Sequence, residues 1–186
     1  MKPLLLLIAS ASCLFFAACT KDDKTCPTGL TGANCDETII PKSIIVKRVE
    51  VSGVPPYRAN GIDWDNTEAG LERNPDLTIR IKPNVLGVPF INGGNQIPNA
   101  DLLGSQSYSI GFHNPLNPEP YKLKQDLTGF FALGVFDLDD NLGPVVNYEE
   151  MDYILFKFYE PGRAFPKALL VNSSQVSYEL ELEYEY

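Results

Sequence analysis

The sequence predicts an all-β protein whose main domain is an antiparallel sandwich of about eight strands. From residue 39 onward, short apolar segments recur at regular spacing and are separated by Gly, Pro, Asn and Asp, a pattern typical of sandwiches and barrels. No window carries apolar residues at helical spacing over three turns, and the 15 prolines would interrupt such a helix. With 186 residues, 44% of them hydrophobic, the chain is long enough to bury one core.

The charge balance and the histidine count exclude several classes of function. The chain holds 24 acidic and 15 basic residues, a formal net charge of −9 at pH 7. Affinity for nucleic acid depends on neutralising phosphates, so no nucleic-acid partner is expected. The single histidine, His113, excludes multi-histidine metal centres, and no Gly-x-Ser-x-Gly motif is present. The 24 acidic residues always offer carboxylate pairs of the kind that hydrolyse glycosides, but nothing in the sequence singles out one pair, so we expect no enzymatic activity.

Residues 1–18 are predicted to be a signal peptide. Lys2 precedes an apolar run that is shorter than the roughly 20 residues a membrane-crossing helix needs. The four residues that end at Cys19, Phe-Ala-Ala-Cys, resemble the lipobox of bacterial lipoproteins. This resemblance implies that fatty acids such as palmitate are attached to Cys19, and that residues 19–25 are a tether. An ordinary secretory signal with an incidental cysteine is the alternative.

The residues after Cys19 bear on localisation. Thr20-Lys21-Asp22-Asp23 resembles the export signal on surface lipoproteins of the Bacteroidota. The resemblance implies an outer-membrane lipoprotein that faces the cell surface. The protein would then bind the membrane through the lipids on Cys19, since no later segment approaches membrane-spanning length.

The chain has four cysteines, of which Cys13 lies in the predicted signal peptide and Cys19 is the predicted acylation site. Cys26 and Cys35 remain as a pair in an exported, oxidising compartment, so they are predicted to form a disulfide. Two glycines between them permit the left-handed turns of a tight loop. Residues 26–35 resemble the terminal hairpin of an EGF-like domain, which implies a small stapled stub without a calcium function of its own. Residues 36–42 are interpreted as a linker, and residues 43–186 as the sandwich.

Apolar and polar residues alternate in several segments of the sandwich, as they do in half-buried strands. The predicted strands are 43–52, 77–82, 108–112, 130–138, 153–159, 168–171 and 176–186. The alternation is clearest at the carboxyl end, where Tyr178, Leu180 and Leu182 share one face and glutamates occupy the other.

Three landmarks within this strand order resemble a C2 domain. The strand that ends at Ser52 leads into an acidic loop at 63–66, the next strand opens with Asn-Pro-Asp at 74–76, and a later strand ends in Asp-Leu-Asp at 137–139. The resemblance spans residues 41–186. It implies an eight-stranded sandwich with calcium-binding loops gathered at one end.

The resemblance assigns four aspartates as calcium ligands, and these are Asp65, Asp76, Asp137 and Asp139. Calcium takes six to eight oxygen ligands, which short anionic side chains on neighbouring loops can supply. The alternative for residues 137–141 is a solvated turn, because Asp and Asn tolerate turn backbone angles. We expect no cofactor other than this calcium.

Trp64, the sole tryptophan, lies in the same acidic loop and is a candidate ligand-binding residue that stacks on a sugar. The alternative is that it anchors the loop to the sandwich. The sequence therefore predicts a lipid-anchored binding or scaffolding module without catalysis, whose ligand is an unidentified protein or glycan. Two alternatives stay open, namely calcium-dependent ligand or lipid binding by the end loops, and a glycan-binding accessory lipoprotein.

Overall fold

The computed structural model describes residues 25–64, 74–104, 106–114, 117–139 and 147–186. The predicted signal peptide, Cys19 and Asp65 lie outside these residues. Within the described ranges every regular element is a β-strand. No helix in those ranges reaches the length and apolarity needed to cross a bilayer.

The strands follow one another along the chain as short antiparallel segments. They are β1 (Leu30–Thr31), β2 (Glu37–Thr38), β3 (Ser43–Ser52), β4 (Leu77–Pro83), β5 (Ile91–Asn92), β6 (Ser107–Gly111), β7 (His113–Asn114), β8 (Asn117–Pro120), β9 (Lys122–Leu123), β10 (Phe131–Asp139), β11 (Asn147–Phe156), β12 (Ala168–Asn172) and β13 (Ser177–Glu185).

Two antiparallel sheets form the sandwich. The first sheet has the strand order β11-β10-β4-β5, and the second has the order β12-β13-β3-β6, with β9 also paired to β3. β1 pairs with β2 and β7 pairs with β8 as separate ribbons. The predicted fold class, an all-β antiparallel sandwich, is confirmed.

The core lies between the sheets and is built by inward-facing residues of the central strands. Ile79 and Leu133 of the first sheet and Val49 and Leu180 of the second are fully buried there. β13 alternates as predicted, with its inward residues buried and its glutamates exposed. Burial of each large apolar side chain contributes about 1.5–3 kcal/mol, so period-two alternation on both sheets holds the layers together.

β11 differs from the strand predicted at 153–159, since it begins at Asn147 and ends at Phe156. Its first half is polar, so the sequence shows no apolar alternation there. The strand forms because β10 supplies pairing partners along its length, with a register shift beside Val135. Tertiary pairing thus overrides a weak local signal and puts acidic residues on a rigid strand.

The amino-terminal hairpin is closed by the predicted disulfide, which is confirmed. Cys26 and Cys35 are bonded with their Cα atoms 5.3 Å apart. β1 and β2 pair antiparallel, with Leu30 opposite Thr38. β2 therefore lies in the segment that was interpreted as a plain linker.

Hydrogen bonds hold the hairpin and the segment after it on the sandwich. The Thr38 hydroxyl donates to the Arg163 carbonyl at 3.1 Å. The Lys42 amide donates to the Glu185 carbonyl at 2.6 Å, and Lys42 Nζ donates to the carbonyl of Tyr186 at 2.6 Å. The hairpin is thus fixed at the end of the sandwich where β3 begins and β13 ends.

Candidate functional site

The opposite end of the sandwich brings together the start of β4, the loop after β5 and the last residues of β10. The Asp76 amide donates to Asp137 Oδ1 at 2.9 Å, and the Asn99 amide donates to Asp76 Oδ1 at 2.7 Å. The Leu138 amide donates to the Asp76 carbonyl at 3.0 Å. These contacts join the start of β4, β10 and the loop after β5, because Oδ1 of each of the two carboxylates accepts an N–H from another segment.

Two of the four predicted calcium ligands are therefore neighbours in the structure. Asp76 and Asp137 lie together, Asp65 is outside the described residues, and Asp139 is described only as the last residue of β10. In the described part of the chain, no group of three or more His, Cys, Asp or Glu side chains is arranged to hold a metal ion. The calcium site stays a prediction, and bracing of the loops is the role that the contacts show.

Beside these aspartates lies a groove of about 360 Å³, which we call the loop-end groove. It is formed by the loop after β3, the first half of β11 and the turn between β12 and β13. Its walls are Pro55, Tyr57, Arg58, Ala59, Trp64, Glu149, Glu150, Met151, Asp152 and Gln175.

Arg58 organises the loop side of this groove. Its Nη2 atom donates to the Trp64 carbonyl at 2.5 Å and to Glu149 Oε2 at 2.5 Å. Its guanidinium carbon lies 5.8 Å from the centre of the Trp64 ring. The Arg58 backbone closes a turn by accepting an N–H from Gly61 and donating to the Ile62 carbonyl. One side chain therefore ties the loop to β11, as the several donors of a guanidinium allow.

Trp64 is buried, with 5% of its surface exposed. Its indole N–H donates to the Pro55 carbonyl at 2.9 Å. The ring face predicted to stack on a sugar is thus covered, because the indole anchors the loop into the sandwich. The exposed aromatic side chain of the groove is Tyr57, which is 45% exposed.

Asp152 connects the two sheets at the floor of the groove. It belongs to β11 of the first sheet and accepts hydrogen bonds from the Tyr178 hydroxyl at 2.6 Å and the Ser173 hydroxyl at 2.9 Å. Tyr178 belongs to β13 of the second sheet and is fully buried. Burial raises the pKa of the Tyr178 phenol well above its ordinary value, and the hydrogen bond to Asp152 raises this pKa further.

Sequence reasoning missed Arg58, Glu149 and the Asp152–Tyr178 pair. Arg58 and Glu149 are 91 positions apart, and neither stands in a recognisable motif. The available signal was the polar first half of β11, where three acidic residues interrupt an otherwise apolar strand pattern.

No protein-family model and no curated protein matches the sequence. Among solved structures, the chain is similar to a Drosophila structure described as C2-DSL-EGF1, with a TM-score of 0.41 and 12% identity. That alignment covers 75% of this chain and 65% of the other, so the chain spans less than two thirds of that structure. It is also similar to a C2 domain of plant extended synaptotagmin 1, with a TM-score of 0.38, 18% identity and coverage of 76% and 95%. Structures that contain C2 domains are therefore among its neighbours at low identity.

Proposed function

We propose that this protein is a lipid-anchored binding module without catalysis, which takes a basic side chain of a partner protein into the loop-end groove. The observation that carries the proposal is the charge of a preformed groove. Glu149, Glu150 and Asp152 bring three carboxylates to its walls, and Arg58 brings one guanidinium. The groove thus has a charge of −2 from these four groups, counted as 1 − 3.

The arrangement of these groups suits a cation that arrives from solution. Glu149 is paired with Arg58, and Asp152 accepts two hydroxyl donors that stabilise its charge without neutralising it. Glu150 is exposed on the same strand. Tyr57 adds an exposed ring, and aromatic faces attract Lys and Arg side chains. A basic side chain would meet both a negative potential and an aromatic flank.

The groove is also rigid, which lowers the cost of binding. The loop that carries Tyr57 is fixed by Arg58 and by the buried indole of Trp64. The opposite wall is a strand paired with β10 along its length. Preorganised walls lose little conformational entropy when a ligand arrives.

A charge-reversal experiment tests the proposal. Titration of the purified protein with a tetralysine peptide should give saturable binding that weakens with added salt, whereas tetraglutamate should not bind. Glu150→Lys should weaken tetralysine binding by about 1–2 kcal/mol, or roughly tenfold in Kd. The matched control is Glu179→Lys, an exposed reversal on β13 away from the groove. Equal losses in the two variants, or no binding of tetralysine, would contradict the proposal.

Calcium-dependent binding at the same end is the second candidate, favoured by the adjacency of Asp76 and Asp137. A ligand that binds only the folded state raises its melting temperature. Calcium should therefore raise the melting temperature of the protein, and Asp76→Asn should abolish that increase. Magnesium at the same concentration serves as the control, since it demands a tighter octahedral geometry.

A further inference from the structure

A second cavity opens beside β5, an edge strand of the first sheet. It has a volume of about 400 Å³, within the range of small-molecule sites. Its walls are Asn92, Gly93, Gly94, Gln96, Tyr121 and Tyr148, and we call it the tyrosine–amide pocket. The pocket shares no wall residue with the loop-end groove.

We infer that the tyrosine–amide pocket binds one unit of an uncharged saccharide. Its six wall residues carry two phenols, two side-chain amides and two glycines, and none of the six carries a formal charge. Phenols and amides supply both donors and acceptors, which match the hydroxyl groups of a sugar. Aromatic rings supply a surface for the apolar C–H face of the sugar ring.

Hydrogen bonds fix the orientation of two pocket groups in advance. Arg80 Nε donates to Asn92 Oδ1 at 2.8 Å, and since this nitrogen can only donate, the Asn92 oxygen must face it. Asn92 Nδ2 then donates to the Tyr148 hydroxyl oxygen at 3.1 Å. No acceptor among the described residues takes the Tyr148 O–H or the second N–H of Asn92, so both can donate to a ligand. A sugar hydroxyl accepts such bonds without a change in the protein.

Arg80 supports this pair from behind the pocket wall. Its guanidinium carbon lies 3.9 Å from the centre of the Tyr148 ring, and 4.8 Å and 5.1 Å from the rings of Phe90 and Phe136. These contacts hold Tyr148 in place through cation–π attraction. The positive charge behind the ring also strengthens the Tyr148 hydroxyl as a donor.

Backbone packing makes the floor of the pocket rigid. The Gly94 amide donates to the Gly111 carbonyl at 2.8 Å, and a Cβ atom at Gly94 would lie 2.3 Å from the His113 carbonyl oxygen. A Cβ atom at Gly93 would lie 2.6 Å from a methyl carbon of Ile110. Glycine at both positions lets the chain after β5 pack directly against β6 and β7, so the floor has no side chain that could fill the pocket.

The test uses the mature acylated protein in a detergent that contains no sugar. Calorimetric titrations with tetrasaccharides of β-1,4-glucan, β-1,4-xylan, β-1,4-mannan and chitin should give saturable binding of at least one. Tyr148→Phe keeps the ring and removes the hydroxyl, so it should weaken that binding about five- to tenfold, as for one neutral hydrogen bond. Gln96→Ala, at an exposed position that does not threaten folding, should also weaken it.

Tyr57→Phe is the matched control, because it removes a phenolic hydroxyl from the loop-end groove instead. It should leave saccharide binding unchanged, while Tyr148→Phe should leave tetralysine binding unchanged. The inference is overturned if no tetrasaccharide binds, if Tyr148→Phe and Gln96→Ala both bind like the unmodified protein, or if Tyr57→Phe weakens binding equally. Loss of tetralysine binding in Tyr148→Phe would assign the pocket to a peptide and would also overturn it.

Discussion

Replacement of Tyr178 by Phe tests the buried link between the two sheets. The Tyr178 hydroxyl is fully buried and donates to Asp152 Oδ2 at 2.6 Å. Hydrogen bonds to charged groups contribute about 1.5–3 kcal/mol, so Tyr178→Phe should lower the free energy of unfolding at pH 7 by about 2 kcal/mol. In a domain of this size, that loss lowers the melting temperature by roughly 4–8 °C.

The same substitution should change how stability depends on alkaline pH. The folded-state pKa of Tyr178 is raised, first by burial and then by its hydrogen bond to Asp152, while the unfolded value is about 10. The stability from the protonated phenol is therefore fully present below pH 10 and is lost as the pH rises above it. The loss is about 1.4 kcal/mol per pH unit for one such group.

Guanidinium chloride unfolding at pH 7 and between pH 10.5 and about 11.5 measures both effects. Above pH 10, the slope for Tyr178→Phe should be shallower than that of the unmodified protein by about 1.4 kcal/mol per pH unit. Tyr153→Phe, an exposed tyrosine of β11, is the control for stability at pH 7 and should leave it unchanged. An unaltered alkaline slope in Tyr178→Phe would refute the reasoning.

Three further substitutions, the last with a matched control, test the anchor, the loop and the core. Cys19→Ala should move the protein from the membrane fraction to the soluble fraction, and retention on the membrane would exclude the lipobox interpretation. Gly53 has φ +74°, and a Cβ atom there would lie 2.5 Å from the Gln175 carbonyl oxygen. Gly53→Ala should therefore lower the free energy of unfolding, measured by chemical denaturation, by about 1–3 kcal/mol. Leu180→Asp puts an unpaired charge in the core and should cost several kcal/mol, whereas Glu181→Lys on the exposed face should change the free energy of unfolding by less than about 1 kcal/mol. Equal effects at positions 180 and 181 would contradict the face assignment.

The fold was predictable wherever one face of a strand is buried and the other is solvated. β13 shows this best, because Leu180 and Leu182 are buried on one face while the intervening glutamates are exposed to solvent on the other. β3 also has the predicted bounds, 43–52, although it alternates only in its second half and is buried on both faces at residues 43–46. The first half of β11 was not predicted, because pairing with β10 and not its own composition determines its structure.

The candidate sites were less predictable, because they depend on contacts between distant segments. Arg58 meets Glu149 across 91 positions, and Arg80 meets Tyr148 through the strand order of the first sheet. Trp64 was found by its chemistry, but only the structure shows that its indole is buried. Residue type indicates which chemistry is available, whereas tertiary packing decides which side chains remain open to a ligand.

If the lipid anchor at Cys19 is correct, the position of the hairpin favours a ligand away from the bilayer over lipid at the loop end. β3 starts at the hairpin end and reaches the loop end after ten residues, about 30 Å at 3.3 Å per residue. The hydrogen bond of Thr38 to the Arg163 carbonyl fixes the hairpin at that end, and the contacts of Lys42 with Glu185 and Tyr186 fix the segment after it. If Cys19 carries the lipids, residues 19–25 extend to at most about 25 Å, and the sandwich would have to lie on its side before its end loops met the same membrane. A soluble or surface-bound partner meets the loop-end groove without that reorientation.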